Sequence, residues 1–216
     1  MSIYLRDTSE PINLEGFSGT PSHGVQVFDY DIIHCEWDEE DEKTETSLGS
    51  VEITLFHPDE VHPEDLMDAA DSLSRDCVDV ASFFFGDSGI LAQDSLEETG
   101  GIHDLMYINN INLNADHRGK DLGLQIVRAL FYRHGGNMHV ALHPAPTEEV
   151  SGISRKKGAK KLWAYWKRLG FAFEDIKANL LWNNVALISE FPNPRPPPAR
   201  TKGGLSLYTS DNSSRA

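Results

Sequence analysis

The alternation of apolar and polar positions first becomes regular from Gly24 to Cys35, and it returns from Ser50 to Phe56. Both runs are rich in Val, Ile, Phe and Tyr and read as strands. Between them lies EWDEEDEKTET, Glu36 to Thr46, a block too acidic to bury itself, which predicts an exposed, mobile connection between antiparallel neighbours. The period then changes. After His62-Pro63-Glu64-Asp65, with Pro and acids at a helix start, apolar residues recur three and four apart at Leu66, Ala69, Ala70, Leu73, Cys77, Val80 and Ala81. This predicts one amphipathic helix packed on a sheet. Gly86 to Gly101 is polar, without a strong period, and reads as a loop with room for a short helix.

The second half carries a sharper pattern. Leu105 to Leu113 reads as a strand, N-A-D-H-R-G as a turn, and Asp121 to His134 as a helix that Gly135-Gly136 ends. Met138 to Leu142 is a short strand. The stretch from His143 to Gly158 holds Pro144, Pro146, Gly152 and Gly158 and is read as a loop. Ala159 to Leu169 is helical up to Gly170, and Phe171 to Asp175 with Leu180 to Ile188 forms a hairpin. From residue 191 onward Pro, Gly and Ser dominate and supply no core, so residues 191–216 are expected to be a flexible tail behind a single domain of residues 1–190. The fold class expected is α/β, with a mixed sheet flanked by helices.

Composition narrows this reading. A chain of 216 residues, 39% of them hydrophobic, suffices for one packed core. Its longest apolar runs fall far short of the ~20 residues that cross a bilayer. The N-terminus has no basic region followed by an apolar segment, so a cytoplasmic location and no membrane partner are expected. Cys35 and Cys77 form neither a disulfide framework nor a metal-ligand spacing, and no metal is expected. The net charge of −15 divides unevenly: residues 1–104 carry 26 acidic and 3 basic residues, a net of −23, and residues 105–216 carry 8 and 16, a net of +8. An anionic ligand on the second half and a cationic one facing the first fit that division, as does a solvated acidic surface. Nucleic acid fits poorly, for no recognised binding motif accompanies the charge.

Candidate chemistry concentrates at the turn after the strand ending near Leu113. Arg118-Gly119-Lys120-Asp121-Leu122-Gly123-Leu124 places glycines and basic residues where a helix begins, and there backbone N–H groups can hold a phosphate. The run resembles the pyrophosphate loop, Q/R-x-x-G-x-G/A, of the GNAT N-acetyltransferase superfamily, with Arg118 and Gly123 at the first and last fixed positions and Asp121 replacing the middle glycine. Leu162 to Phe171, LWAYWKRLGF, resembles that family's A-x-x-F-Y-x-x-x-G-F helix. Trp166 stands where the family places the tyrosine that protonates the CoA thiolate, and Tyr165 stands one residue earlier. The resemblance covers Leu105 to Leu187.

The resemblance implies a GNAT-like splayed sheet and acetyl transfer from acetyl-CoA, as co-substrate, to an amine. It implies that the backbone N–H groups of Ile111 and Leu113 pair with the pantetheine arm and that Arg118, Gly119, Lys120, Asp121, Leu122, Gly123 and Leu124 hold the pyrophosphate. Tyr165 becomes the candidate acid. The basic run Arg155, Lys156, Lys157, Lys160 and Lys161 suits either a CoA phosphate or a solvated helix start. For the base, the family often uses a glutamate on the central strand; here only His103 and Asp104 precede that strand, and Asp104 is the candidate. His143, before Pro144, reads either as a cleft residue or as an ordinary loop histidine. With CoA on the basic half, the acceptor expected is cationic, a small amine or a lysine-rich peptide, steered by acids such as those of Glu36 to Glu45. The alternative is a catalytically degenerate GNAT-like scaffold or acyl-CoA-binding module, which Asp121, Trp166 and the missing glutamate favour.

Overall fold

The central strands are apolar on both faces, every residue of Met138–Leu142 being buried, so the sheet needs cover on both sides, and among the described residues two pairs of helices supply it. The computed structural model describes residues 2–8, 24–38, 42–58, 62–86, 104–134, 138–145, 155–184 and 206–207. In chain order these form β1 (Ser2–Asp7), β2 (Val25–Trp37), β3 (Lys43–Phe56), α1 (Pro63–Leu73), α2 (Arg75–Phe85), β4 (Asp104–Leu113), α3 (Leu122–His134), β5 (Met138–Leu142), α4 (Arg155–Trp166), β6 (Phe173–Asp175), β7 (Leu180–Asn184) and β8 (Ser206–Leu207). Short 3-10 turns stand at Ala115–His117 and Lys167–Leu169. Among the described residues the strands make one mixed sheet in the order β6-β7-β5-β4-β3-β2-β1-β8.

Alternation sorts the core into two layers. Met106, Ile108, Val140, Leu142 and Leu181 point to the side covered by α3 and α4, where they meet Ile126, Val127, Leu130, Trp166 and Leu169. Leu105, Tyr107, Ala141 and Leu180 point to the other side, against Leu66, Ala70, Cys77, Val80 and Phe84 of α1 and α2. Each inward Leu, Ile or Phe contributes about 1.5–3 kcal/mol by leaving water.

Several expectations are corrected. The single helix expected from Pro63 to Ala81 is two, because Ser74 is extended (φ −167°, ψ 160°) and its hydroxyl accepts the Cys77 N–H at 3.1 Å, capping α2. The connection expected over Glu36 to Thr46 is partly strand: Cys35 faces Glu45 and Trp37 faces Lys43, while residues 39–41 lie outside the described residues. Glu45 is held there by Tyr4, Arg6 and Lys43, which compensates its charge. β1, unforeseen, pairs antiparallel with β2. Of the expected tail only Ser206–Leu207 is described, and it is not free of the domain, since it pairs in parallel with Ser2 and Ile3. The loop expected at residues 87–101, together with His103, lies outside the described residues. Among the described residues no helix is long and apolar enough to cross a membrane.

One feature of the sheet positions the site. β4 and β5 are parallel neighbours, as a crossover through α3 requires, but they pair only over Asp104–Ile108 and Met138–Leu142. β4 continues to Leu113 against β3 alone. Beyond Leu142 the chain passes through His143 to Pro144, which has no N–H to continue the ladder. The two strands therefore diverge at the centre of the sheet.

Candidate functional site

The divergence opens a cleft of about 490 Å³ between Ile108–Leu113 of β4 and Leu142, His143 and Ala145 beyond β5, closed at one end by Arg118, Gly119 and Gly123 and on one side by Lys161, Leu162, Tyr165 and Trp166. A bulge in β4 shapes its floor. Ile108 faces Ile53 and Asn110 faces Glu52, so Asn109 has no partner across the β3–β4 ladder. Its side chain is braced instead: Nδ2 donates to Glu52 Oε1 at 2.7 Å and Oδ1 accepts from Thr54 Oγ1 at 2.9 Å. A bulge bends its strand, and here it turns the end of β4 away from β5.

Beyond the bulge the backbone has a definite polarity. Asn114 N–H bonds to Leu48 O, and the Asn112 carbonyl lies against Gly49, so these residues face β3. By alternation the N–H and C=O groups of Ile111 and Leu113 face the gap. The Leu113 carbonyl is taken by Arg118, whose Nε donates to it at 2.7 Å.

The turn from Arg118 into α3 is built by two left-handed residues, Gly119 (φ +78°) and Asp121 (φ +57°). A methyl group at Gly119 would meet nothing within 4 Å, so the backbone here is open to an approaching group. Asp121 occupies a conformation that favours glycine, and its carboxylate is paired with Arg168 by two hydrogen bonds of 2.8 and 2.7 Å. That pairing holds the Asp121 carboxyl below its ordinary range.

Tyr165 crosses to the same helix end. Its hydroxyl accepts the Leu124 N–H at 3.2 Å, filling the position at a helix N-terminus where an anion is stabilised. Burial raises its pKa above the ordinary phenol value, against the opposing effect of the Leu124 and Gly123 amides. The phenol therefore keeps its proton at neutral pH. Gly123 admits this contact, since a methyl group there would sit 3.0 Å from Tyr165 Oη and 3.1 Å from Trp166 Cη2. Tyr165→Phe is expected to cost about 1 kcal/mol, the net worth of one hydrogen bond. The check is a urea unfolding curve with an unchanged slope and a lower midpoint.

Of the expected residues, Ile111, Leu113, Arg118, Gly119, Gly123 and Tyr165 line the cleft together. Leu122 and Leu124 send their side chains into the core, so any contribution they make to a ligand is through the backbone. Lys120 is exposed, and among the described side chains of the basic run Lys161 reaches the lining. The structure does not bring Asp104 to the cleft: it opens β4 at the far end of the strand, bonded to His57 Nδ1 at 2.8 Å, and five steps of about 3.3 Å carry the chain from it to Asn109. It lies at the end of this interior strand beside Met138, next to the Leu105–Phe56 pair and away from the gap. Missed by the sequence were Arg168, Glu52 and Asn109. Only opposite charge could have suggested the first, and nothing local signals the others.

His143 lies at the cleft. Its Nδ1 is 3.1 Å from Tyr107 Oη, with the rings edge to face at 5.5 Å. Burial pushes its pKa below the ordinary value, while Asp76 and Asp79 of α2 pull the other way. Burial also raises the Tyr107 phenol.

The arrangement defines an α/β protein with a cleft that runs between diverging parallel strands and ends at a helix N-terminus. Comparison with protein-family models, with curated proteins and with solved structures gives no match.

Proposed function

We propose that this chain is a GNAT-type N-acyltransferase that moves an acetyl group from acetyl-CoA to an amine. The observation that carries the reading is the convergence on one cleft of the Ile111 and Leu113 backbone, turned toward the gap, and the Arg118–Leu124 turn at the head of α3. An extended arm bearing amides suits the first, since the Ile111 groups and the Leu113 N–H are turned to pair with amides, the Leu113 carbonyl being taken by Arg118. A pyrophosphate suits the second, with the open backbone at Gly119 and the positive charges of Arg118 and Lys161 nearby. Acetyl-CoA supplies the activated thioester carbonyl. Tyr165, protonated at neutral pH and already accepting from Leu124, has its own proton to give to a departing sulfur. Trp166, at the position the family gives to tyrosine, packs beside Tyr165 with ring centroids 4.8 Å apart and has no proton of suitable acidity. The cationic acceptor is supported by the charge of Asp76 and Asp79, which acts on the Tyr107–His143 pair although Asp79 also meets Arg75 at 3.8 Å, and less by Glu45, which Arg6 and Lys43 neutralise.

A second reading, a GNAT-like scaffold without catalysis, is favoured by one specific observation. The Tyr165 oxygen and the Asp121–Arg168 pair already satisfy much of the anion-binding end of the cleft. Thermal unfolding with increasing acetyl-CoA separates the possibilities. The enzyme reading expects a rise in apparent stability of about 2.7 kcal/mol at a hundred times Kd, accompanied by thiol release once a polyamine is added. A rise without thiol release favours the scaffold, and no rise removes acyl-CoA from the function.

A further inference from the structure

The cleft has two unlike sides, and the proton chemistry of amine acylation needs a group on each. Tyr165 belongs to the layer of α3 and α4. Tyr107 belongs to the opposite layer, against α1 and α2, and its hydroxyl meets His143 where the chain leaves β5 and bounds the gap. We infer that His143 is the base that takes the proton from the acceptor amine and that Tyr107 is its positioning residue, holding the imidazole with Nδ1 toward the phenol oxygen and Nε2 available to the cleft. This inference rests on the acyltransferase reading above.

Three features support it. Among the described residues Tyr107 Oη is the hydrogen-bond partner of the ring, at Nδ1, and none is shown for Nε2. With Nδ1–H donating to Tyr107 Oη, Nε2 keeps its lone pair. Tyr107 from β4 contacts the ring, Asp76 and Asp79 of α2 act on it only through their charge, Asp79 with Arg75 Nε 3.8 Å from it, and Arg118 and Lys161 stand elsewhere in the same lining. Burial keeps the imidazole neutral before reaction, and the two carboxylates favour the imidazolium once a proton arrives. Asp104, at the remote end of β4, and Glu52, already bonded to Asn109, are less well placed.

The protons balance. An acceptor arriving as an ammonium gives one proton to His143 Nε2. The neutral nitrogen forms the C–N bond as the thioester C–S bond breaks, its next surplus proton ends on the departing sulfur, and His143 passes its own to solvent. The products are the amide, the free thiol and one proton.

The test uses the full chain and three measurements on wild type, His143→Gln and Tyr107→Phe. His143→Gln should lower kcat with spermidine by about 10²–10³-fold, leave the acetyl-CoA Kd within about twofold, as expected of a group acting outside uniform binding, and abolish the acid limb of the pH–rate profile, which in wild type lies below the ordinary histidine pKa. Tyr107→Phe should move that limb while retaining it. Long-range proton–nitrogen NMR of the free protein should show neutral His143 protonated on Nδ1 in wild type, with the tautomer shifted toward Nε2–H in Tyr107→Phe; this readout is independent of turnover. Undiminished turnover in His143→Gln, or an Nε2–H tautomer in wild type, overturns the assignment of the base alone. Failure of wild type to bind acetyl-CoA overturns the acyltransferase reading and the base with it.

Discussion

Gly49→Ala is expected to destabilise the protein by about 3 kcal/mol, from a strained backbone and a clash that no side-chain rotation relieves. Gly49 has φ +148°, and a methyl group there would lie 2.0 Å from the Asn112 carbonyl oxygen and 2.9 Å from Leu113 Cα. Both obstacles are backbone, so relief means pushing β4 away from β3. The position is fixed by a neighbouring irregularity: Ile32 faces Gly49 and Ile33 faces Ser47, leaving Leu48 to drop its side chain into the core and its carbonyl onto Asn114 N–H. The strain also falls on the stretch of β4 that bounds the cleft, so acetyl-CoA affinity should decline along with stability. Gly119→Ala is the control, for it also has positive φ (+78°) but open space around it and should cost only about 1 kcal/mol. Urea unfolding of both variants decides; a smaller loss at Gly49 than at Gly119 would sink the close-approach argument.

Gly49 marks a boundary in what the sequence discloses. Alternation identifies β3 from Ser50 onward because its positions are apolar on one face. From Lys43 to Ser47 the strand is exposed and carries charge, and it stays in the sheet by its ladder to β2, with Glu45 bonded to Tyr4 and Arg6 of a strand far away in sequence. β1 itself carries the signal, with Ile3 and Leu5 both buried two residues apart, but six residues next to a terminus make a short pattern. The break at Ser74 is hidden for a different reason. Leu73 and Cys77 keep the helical step across it, and only the capping bond of the serine hydroxyl shows that the helix restarts. β4, α3 and β5 were legible because each carries its own period and its own terminators.

The site divides the same way. The Arg118–Leu124 turn is local, and seven consecutive residues contain nearly all its geometry. Tyr107 and His143 are 36 residues apart, Asp121 and Arg168 are 47 apart, and no periodicity links either pair. The bulge at Asn109 is equally non-local, since it needs Thr54 and Glu52 of the neighbouring strand to hold it. The sequence anticipated the turn that forms one end of the cleft. It did not separate Asp104 from His143, because the two are distinguished only by which end of the parallel pair each occupies.

The Asp121–Arg168 pair turns that last kind of contact into an affinity experiment. Asp121→Gly is expected to tighten acetyl-CoA binding by about tenfold and Arg168→Ala to weaken it by a similar factor at low salt, since each alters one full charge within several Å of the proposed pyrophosphate position. In the native pair the carboxylate and guanidinium cancel, with two hydrogen bonds between them. Glycine at 121 removes the negative member and releases Arg168, which stacks over the Tyr165 ring 5.7 Å away and so remains beside the cleft. Stability should change little, because glycine adopts the φ of +57° without strain while an exposed ion pair is lost. Alanine at 168 does the reverse and leaves an unpaired carboxylate facing the anion. Both effects should shrink together as ionic strength rises, because exposed charges are screened within about 8 Å at physiological salt. Calorimetric titration of the two variants at low and high salt measures this. Equal affinity in both at low salt would remove the pyrophosphate from this turn, and tightening by Asp121→Gly that persists undiminished at high salt would assign the gain to backbone freedom rather than to charge.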